Sequence, residues 1–518
     1  MKIRSEKKTN RSEKFMINGL TMAMVSILMR TVAIAFNSYV SRTVGAEAIG
    51  LYSLLSGVYG FAVTLALSGI NLSVTRLVSE YLALNDKRRT SEVLKRAFGF
   101  AALFGCLSSL LLFFLSESAA SSWLHELRVI RPLKILCATL PAIALSSVMN
   151  GYFTAVRRVY KNAVSQLTEM SVKIAVTVLL FSFTVQKDPE IACVLLALGG
   201  VVAEGIAFLL NLILYLCDKG KHIKDVDYIS PCEGVGKRIF EISMPVAFTS
   251  YVRSALVSLE HSLIPKGLLK YGSDKSLALS AYGTLGSMAL TVINFPYAII
   301  GSFSALMIPE ISESRARGEK RHVRYLAYRT YQVSAVFSFC LMGVFFEFSY
   351  FIGDFLYSSE LAGDYIRQLS LLVPVMYTDT VTDSLLKGMG EQVYSMKVNI
   401  ADAAISVSMV WLLVPRFGIA GYIFTIYVAE IINAALSIIK AVKVCGVGFE
   451  ALLVYLKSAF SVIGALALTR FGENLLNIRS YFVFPVYFSA YFGLILLTSV
   501  FSRDDFRWMR SILKRPAQ

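Results

Sequence analysis

The sequence predicts an all-α membrane protein with about fourteen transmembrane helices, arranged as two six-helix lobes around a central cavity with two further C-terminal helices. Three observations support this fold class: the apolar composition, the distribution of basic residues and an internal repeat. Of the 518 residues, 56% are hydrophobic, and the mean hydropathy is +0.61. A soluble domain averages about 45–50% apolar residues. The composition therefore excludes an ordinary soluble protein.

The predicted transmembrane helices are stretches of about 20 mostly apolar residues, the length that crosses a bilayer. The first follows a basic N-terminal segment. We interpret it as an uncleaved helix rather than a signal peptide, because Arg30 interrupts its apolar run. The predicted spans are residues 15–37, 48–72, 97–117, 133–155, 162–186, 191–217, 239–264, 277–303, 328–353, 365–387, 398–415, 418–441, 451–470 and 481–501.

Basic residues are concentrated in every second predicted loop. The loops on the side of the N-terminus carry roughly three times as many Lys and Arg residues as the opposite loops, a bias that marks the cytoplasmic side. Both termini are therefore predicted to be cytoplasmic, and the number of spans to be even. The net charge of +16 is explained by cytoplasmic loops facing anionic lipid, without a nucleic-acid partner. The loop from Arg315 to Arg324 is interpreted in the same way, as a solvated cytoplasmic face.

An internal repeat divides the predicted helices into two lobes. Two segments share the same order of sequence features, Ala48 to Glu80 and Leu279 to Glu310. Each has a small residue near a Tyr, then a helix rich in small residues, and then a Glu before a basic loop. The copies lie about 230 residues apart and are separated by six spans, so they share one orientation. The predicted parts are a basic tail (1–14), an N-lobe (15–217), a linker (218–238), a C-lobe (239–442), helices 13 and 14 (443–501) and a second basic tail (502–518).

Catalytic signatures are missing from the sequence. There is no Walker loop, dinucleotide fingerprint, His pair at metal spacing or Gly-x-Ser-x-Gly elbow. We therefore expect no enzymatic activity, no metal and no cofactor. Energy for transport would come from an ion gradient or the membrane potential.

Two arginines inside spans are the first candidates for function, because an ionisable residue at membrane depth is costly. Arg30 lies on the first helix and Arg253 on the seventh, which the repeat makes its counterpart in the other lobe. Both are candidates to line the central cavity, where the fork geometry of Arg suits phosphate oxygens. Alternatively, each neutralises a carboxylate or reaches an interface. Glu260 and His261, about two turns beyond Arg253, are further candidates for substrate binding, or else lie in water at the outer helix end.

Carboxylates inside other spans are candidates for ion coupling. Glu169 and Lys173 are spaced i, i+4 on the fifth helix, which predicts an internal ion pair, and the repeat partner of Glu169 is roughly Asp402. The remaining candidates for a cation site are Asp379, Asp383, Glu204 and Glu430.

Short motifs in and around the second predicted span resemble a known family. Val44 to Tyr52 (VGAEAIGLY), Ser68-Gly69-Ile70 and Leu77 to Glu80 (LVSE) are similar to the start of the stage V sporulation protein B and polysaccharide-transporter family. That family is part of the multidrug/oligosaccharidyl-lipid/polysaccharide exporter superfamily, which also contains the peptidoglycan lipid II flippases.

The resemblance implies a flippase that moves an undecaprenyl-diphosphate-linked oligosaccharide or a peptidoglycan precursor across the bacterial inner membrane by alternating access. The lipid II flippases place arginines in a cationic cavity, and Arg30 and Arg253 are the matching candidates here. The expected partners are the lipid-linked diphosphate sugar, membrane lipids and envelope-synthesis enzymes. Two alternatives stay open: a cation-coupled multidrug exporter of the same superfamily, and a nontransporting scaffold for envelope synthesis.

Overall fold

The computed structural model describes residues 27–84, 86–158, 160–183, 188–222, 234–476 and 480–500. These residues form helices and no strand, so the predicted all-α class is confirmed. Both predicted basic tails, the start of the first span (15–26) and most of the predicted linker lie outside the described residues. The helices are α1 (27–44), α2 (Ala46–Leu67), α3 (Ile70–Ala83), α4 (Lys87–Ser118), α5 (Ile130–Leu136), α6 (Leu140–Ala155), α7 (Tyr160–Ser182), α8 (Pro189–His222), α9 (Val235–Tyr271), α10 (Lys275–Gly283), α11 (Leu290–Asn294), α12 (Tyr297–Ala316), α13 (Lys320–Glu347), α14 (Ser349–Tyr357), α15 (Glu360–Ser370), α16 (Val373–Gly388), α17 (Gln392–Cys445), α18 (Glu450–Leu476) and α19 (Ser480–Leu497).

The described residues contain ten helices that are long and apolar enough to cross a membrane, and one shorter apolar helix, Val483–Leu497. Helix α17, with 54 residues, would measure about 80 Å if it were straight, far more than the ~30 Å hydrocarbon core. It is broken at Gly418, whose φ of 62° and ψ of −141° are not helical. This break falls at the first residue of the predicted span 418–441, close to the end of the preceding span 398–415. The total of fourteen spans stays a prediction.

Two compact units make up the described chain. Unit I contains residues 27–287 and Ala403–Thr425, and unit II contains Met288–Asp402 and residues 426–500. The predicted lobes, residues 15–217 and 239–442, group the helices differently, and the division into lobes stays a prediction.

Within unit I, α2 and α10 approach each other closely through glycines. A Cβ atom on Gly50 would overlap the backbone carbonyl of Leu279, and one on Gly283 would come within 2.7 Å of the carbonyl oxygen of Ala46. Small residues at such a crossing let helix backbones pack without side chains between them. The repeat motif around Gly50 thus has a packing role.

We expect Gly50→Val to destabilise unit I by about 3 kcal/mol or more, because a clash with backbone cannot be relieved by a side-chain rotation. The measurement is the apparent melting temperature of the purified chain in detergent. Gly60→Val on the same helix is the matched control, since a Cβ there would meet nothing within 4 Å. Equal melting temperatures for the two variants would contradict the close approach.

A buried carboxylate joins three helix ends of unit I. The Glu126 side chain is 3% exposed; it accepts hydrogen bonds from Arg128 Nε at 2.8 Å and Nη2 at 3.1 Å, and pairs with Lys275 Nζ at 3.0 Å. Arg128 also donates to Glu47 at 3.0 Å, and Ser276 donates to Glu47 at 2.6 Å. Burial raises the pKa of Glu126, but the hydrogen bonds and charges of Arg128 and Lys275 outweigh it and hold the pKa below its ordinary value. The network therefore fixes the start of α2, the segment before α5 and the start of α10.

We expect Glu126→Gln to cost about 1.5–3 kcal/mol of stability at neutral pH, the usual effect of losing hydrogen bonds to a charged group. The pKa of Glu126 is lower in the folded chain than in the unfolded chain, so its ionised form stabilises the fold. This contribution is fully present when the pH is above the ordinary carboxyl pKa of about 4.3, and it is lost as the pH falls through the pKa of Glu126 in the folded chain. The melting temperature of the wild type should therefore fall more steeply below about pH 4 than that of the variant. Glu117→Gln is the control, because that carboxylate is 69% exposed and exposed pairs contribute little.

The two C-terminal helices of unit II pack against α13. Tyr487 and Tyr491 on α19 are fully buried, and their hydroxyls donate to the carbonyls of Cys340 and Val336, each at 2.9 Å. Apolar residues of α18, such as Val462, complete this core. In unit II, α18 and α19 are therefore integral to the fold.

Candidate functional site

A polar cavity lies within unit I among α3, α6, α7 and α8. Its volume is ≈ 790 Å³, the size of a small-molecule site. Two carboxylates line it, Glu169 on α7 and Glu204 on α8, and none of the lining residues is a lysine or arginine. The neutral polar side chains around it include Asn71, Ser146, Ser147, Asn150, Gln166 and Asn211.

The two carboxylates are close enough to repel each other. The hydroxyl of Tyr59 lies within electrostatic range of both and shares a hydrogen bond of 2.6 Å with Thr139 Oγ1. Two neighbouring carboxylates that are partly buried in a membrane protein cannot both stay ionised at low cost unless a cation or proton lies between them. The arrangement therefore favours the binding of a small positive charge.

Lys173 does not supply that charge through a salt bridge. Its ammonium lies 5.8 Å from the centre of the Tyr52 ring, a cation–π contact. In the part of the chain that the structure describes, no salt bridge of 4.0 Å or less joins Lys173 to Glu169, although the lysine attracts that carboxylate from farther away. Glu169 can therefore face the cavity as an acceptor.

Unsatisfied oxygens in the same cavity strengthen its cation-binding character. The side-chain oxygens of Asn150, Asn211 and Ser146 have no hydrogen-bond partner among the described residues, and Asn211 is 3% exposed. A buried oxygen without a donor costs free energy, and carboxylate and amide oxygens together are ligands for hard cations such as Na⁺. In the described chain, no group of three His, Cys, Asp or Glu residues is placed to hold a metal ion.

A second acidic cluster lies within unit II. Asp379 accepts a hydrogen bond from Asn433 Nδ2 at 3.2 Å, and its other oxygen has no partner among the described residues. Glu430 lies within electrostatic range of Asp379 and Asp402. Asp383, one turn from Asp379, instead pairs with Lys387 Nζ at 2.6 Å. Its charge is compensated locally, which distinguishes it from the other candidates.

The two clusters use corresponding residues of the predicted repeat. Glu169 and Glu204 interact in unit I, and their predicted counterparts Asp402 and Glu430 interact in unit II. Each unit therefore holds a pair of carboxylates from the helices that the sequence pattern equates.

Glu260 and His261 lie elsewhere in unit I. Glu260 accepts a hydrogen bond from Ser406 Oγ at 3.0 Å, with Tyr422 in electrostatic range. His261 Nδ1 is hydrogen-bonded to the hydroxyl of Tyr282, which is fully buried. Both side chains thus have protein partners that the sequence did not indicate.

The structure places Arg30 on α1, half-buried, and Arg253 on α9, exposed. Neither lines the acidic cavity of unit I. Their common orientation towards one central cavity stays a prediction.

Several polar residues of these sites were not predicted from the sequence. Asn150, Asn211 and Tyr59 in unit I, and Asn433 in unit II, are neutral and occur within apolar helices. The signal that could have identified them is that an amide or hydroxyl group inside a membrane span needs a hydrogen-bond partner.

Comparison with known proteins gives the family context. A family model described as "Polysaccharide biosynthesis protein" matches residues 15–264. Stage V sporulation protein B of Bacillus subtilis (strain 168) is 23% identical over 451 residues, which is 85% of each chain. Sporulation protein YkvU of the same organism is 22% identical over 58% of this chain and 66% of its own length.

The fold is also that of solved transporters. A structure described as the inward-facing conformation of a multidrug resistance MATE family transporter of the MOP superfamily superposes with a TM-score of 0.65. The match has 13% identity and covers 82% of this chain and 98% of the other. The resemblance predicted from the motifs is confirmed: the chain is homologous to stage V sporulation protein B and has the fold of MOP-superfamily transporters.

Proposed function

We propose that this MOP-superfamily membrane transporter is a flippase that moves an undecaprenyl-diphosphate-linked oligosaccharide or peptidoglycan precursor across the bacterial inner membrane by alternating access. The observation that carries the proposal is the match of residues 15–264 to the polysaccharide biosynthesis family. The similarity to stage V sporulation protein B over 85% of both chains agrees with the family resemblance from which this cargo class is taken. In this proposal both termini are cytoplasmic, as the distribution of basic residues favours.

Arg30 and Arg253 bind the diphosphate in this proposal. A guanidinium forms paired hydrogen bonds with phosphate oxygens and stays charged at any physiological pH. Arg30 is half-buried on a helix that also carries Met29 and Ala33, so an anionic ligand would offset its desolvation.

The carboxylate pairs serve as sites for the coupling ion. In unit I, Glu169 and Glu204 face a cavity that also contains the unsatisfied oxygen of Asn211. A Na⁺ ion or a proton bound there would relieve the repulsion between the carboxylates. Asp379, Asp402 and Glu430 give unit II a corresponding site, and its occupancy would depend on the ion gradient across the membrane.

A cation-coupled multidrug exporter is the second candidate. The observation that favours it is the absence of Lys and Arg among the residues lining the unit I cavity, which has two carboxylates instead. An acidic cavity suits a cationic drug, whereas a diphosphate would be repelled from it. The two candidate functions therefore differ in the sign of the charge on the transported molecule.

Ligand-dependent stabilisation of the purified chain separates the two candidates. A ligand at 100 times its Kd stabilises the folded state by about 2.7 kcal/mol. We expect undecaprenyl diphosphate to raise the melting temperature, the cationic dye ethidium to leave it unchanged, and Arg30→Ala to lose the effect of the lipid. Stabilisation by ethidium alone would favour the drug exporter and contradict the flippase.

A further inference from the structure

A pocket rich in cationic side chains lies within unit II, where α12 ends, α13 begins and α17 ends. Its volume is ≈ 500 Å³. We define the basic pocket by its five cationic lining residues, which are Arg315, Lys320, Arg321, Arg324 and Lys443. Glu319 is the only carboxylate among its lining residues. The positive charge therefore greatly exceeds the negative charge.

Most of this charge is not compensated by neighbouring carboxylates. Arg315 donates to the backbone carbonyl of Met389, a neutral partner. Arg324 approaches Glu450 only to 4.0 Å, and that carboxylate is 71% exposed. Within the described parts of the chain, Lys320, Arg321 and Lys443 form no salt bridge. Cations held near one another without counterions repel, and an anion between them would relieve that repulsion.

The backbone around the basic pocket also favours an anion. Helix α13 begins here, and its N-cap residue, Glu319, makes no side-chain capping hydrogen bond. A helix N-terminus carries a partial positive charge, which suits phosphate. Gly318 and Gly446 have φ values of 73° and 68°, which Gly adopts without strain. These turns end the helices abruptly and leave room for the cavity.

Three residues that line the basic pocket are apolar and buried. They are Val323, Met389 and Cys445, which are 4%, 8% and 4% exposed. The pocket thus places buried apolar side chains beside its cations, and low-dielectric surroundings strengthen electrostatic attraction to a ligand. A loop that is only solvated would not enclose such a volume. The sequence interpretation of Arg315 to Arg324 as a plain cytoplasmic face is therefore incomplete.

We propose that the basic pocket is a binding site for a phosphate-bearing anion, carried either by an anionic lipid headgroup or by a soluble phosphate compound. The pocket lies at helix ends that the distribution of basic residues assigns to the cytoplasmic side, where both ligands are accessible. The proposal rests on the cavity and its charges, and it does not depend on which cargo the chain transports.

The test compares the full wild-type chain with a triple variant, both purified in a neutral detergent. The triple variant combines Lys320→Gln, Arg321→Gln and Lys443→Gln. All three side chains are exposed and make no salt bridge within the described chain, so the variant should fold. The matched control removes the same charge outside the pocket, by Lys87→Gln, Lys397→Gln and Lys457→Gln; these side chains are also exposed and make no salt bridge within the described chain. Affinities are measured by thermal shift for dioleoylphosphatidylglycerol and for inorganic diphosphate.

We expect the wild type and the control to bind at least one of the two probes. The triple variant should bind that probe at least about tenfold more weakly, because each surface cation raises the affinity for an anionic ligand by roughly a factor of five. The loss should shrink as salt is raised. Binding of the lipid alone would identify a headgroup site, and binding of diphosphate would identify a site for free phosphate; both outcomes support the proposal. Equal affinities for the triple variant and the control, or no binding of either probe to the wild type, would overturn it.

Discussion

Arg30→Ala is expected to lower the translocation of an undecaprenyl-diphosphate sugar by between roughly 30-fold and several thousand-fold. This range corresponds to the about 2–5 kcal/mol lost when one partner of a desolvated charge pair is truncated, the state that Arg30 and the diphosphate would reach in the bound complex. We expect a large loss of translocation because Arg30 is half-buried on α1. Arg253 is exposed, so we expect a smaller loss for Arg253→Ala, of about tenfold. The measurement is the rate of lipid translocation in proteoliposomes.

The control for both arginines is Arg131→Ala. Arg131 is 80% exposed and lies 3.5 Å from Glu190 at a helix end, and exposed pairs contribute little. It should transport at the wild-type rate. Wild-type translocation by Arg30→Ala and Arg253→Ala, with normal amounts of inserted protein, would contradict the assignment of the arginines to the diphosphate.

Glu204→Gln should uncouple transport from the ion gradient. Glutamine keeps the shape of the side chain but removes the charge that holds a cation, a loss of about 1.5–3 kcal/mol, or roughly 10- to 150-fold in ion affinity. Transport driven by an imposed Na⁺ or H⁺ gradient should therefore fall by about tenfold or more. Glu430→Gln is expected to act in the same way in unit II, because Glu430 interacts with Asp379 and Asp402.

Transport is measured in proteoliposomes with and without each gradient, and Glu241→Gln is the matched control. Glu241 lies on α9 with a side chain that is 59% exposed, so its removal should leave gradient-driven transport unchanged. If Glu204→Gln and Glu430→Gln both respond to the gradients as the wild type does, the carboxylate pairs are not the coupling sites.

The helical architecture was predictable because hydropathy and glycine or proline signals are local. The break in α17 at Gly418 follows Pro415 within three residues, and both residues disfavour a continuous helix. Other breaks depend on packing. Ser68, with a φ of 43°, ends α2 in a left-handed conformation, and a Cβ on Gly69 would come within 2.9 Å of the Ser243 carbonyl. Such contacts between distant segments cannot be read from a single sequence.

The ionisable residues of the sites were identified because charges are rare within apolar spans, but their partners were not. The i, i+4 spacing alone favours an ion pair between Lys173 and Glu169. In the structure, the Lys173 ammonium instead contacts the ring of Tyr52, which is 121 positions away in the sequence. Asn211 belongs to the same cavity, yet a single amide in an apolar helix is not distinctive. The basic pocket depends on side chains from three helices meeting at one place, and only the folded chain reveals it.

The most direct measurement is translocation of a fluorescent undecaprenyl-diphosphate sugar by the wild-type chain reconstituted in vesicles, with a Na⁺ gradient or a H⁺ gradient imposed across the membrane. The label in the outer leaflet is bleached by a membrane-impermeant reductant. In vesicles with a flippase nearly all of the label becomes accessible, whereas in protein-free vesicles about half stays protected. We predict near-complete bleaching with the wild type and protection of the inner half with Arg30→Ala. Bleaching by the wild type that matches protein-free vesicles would contradict the proposed flippase.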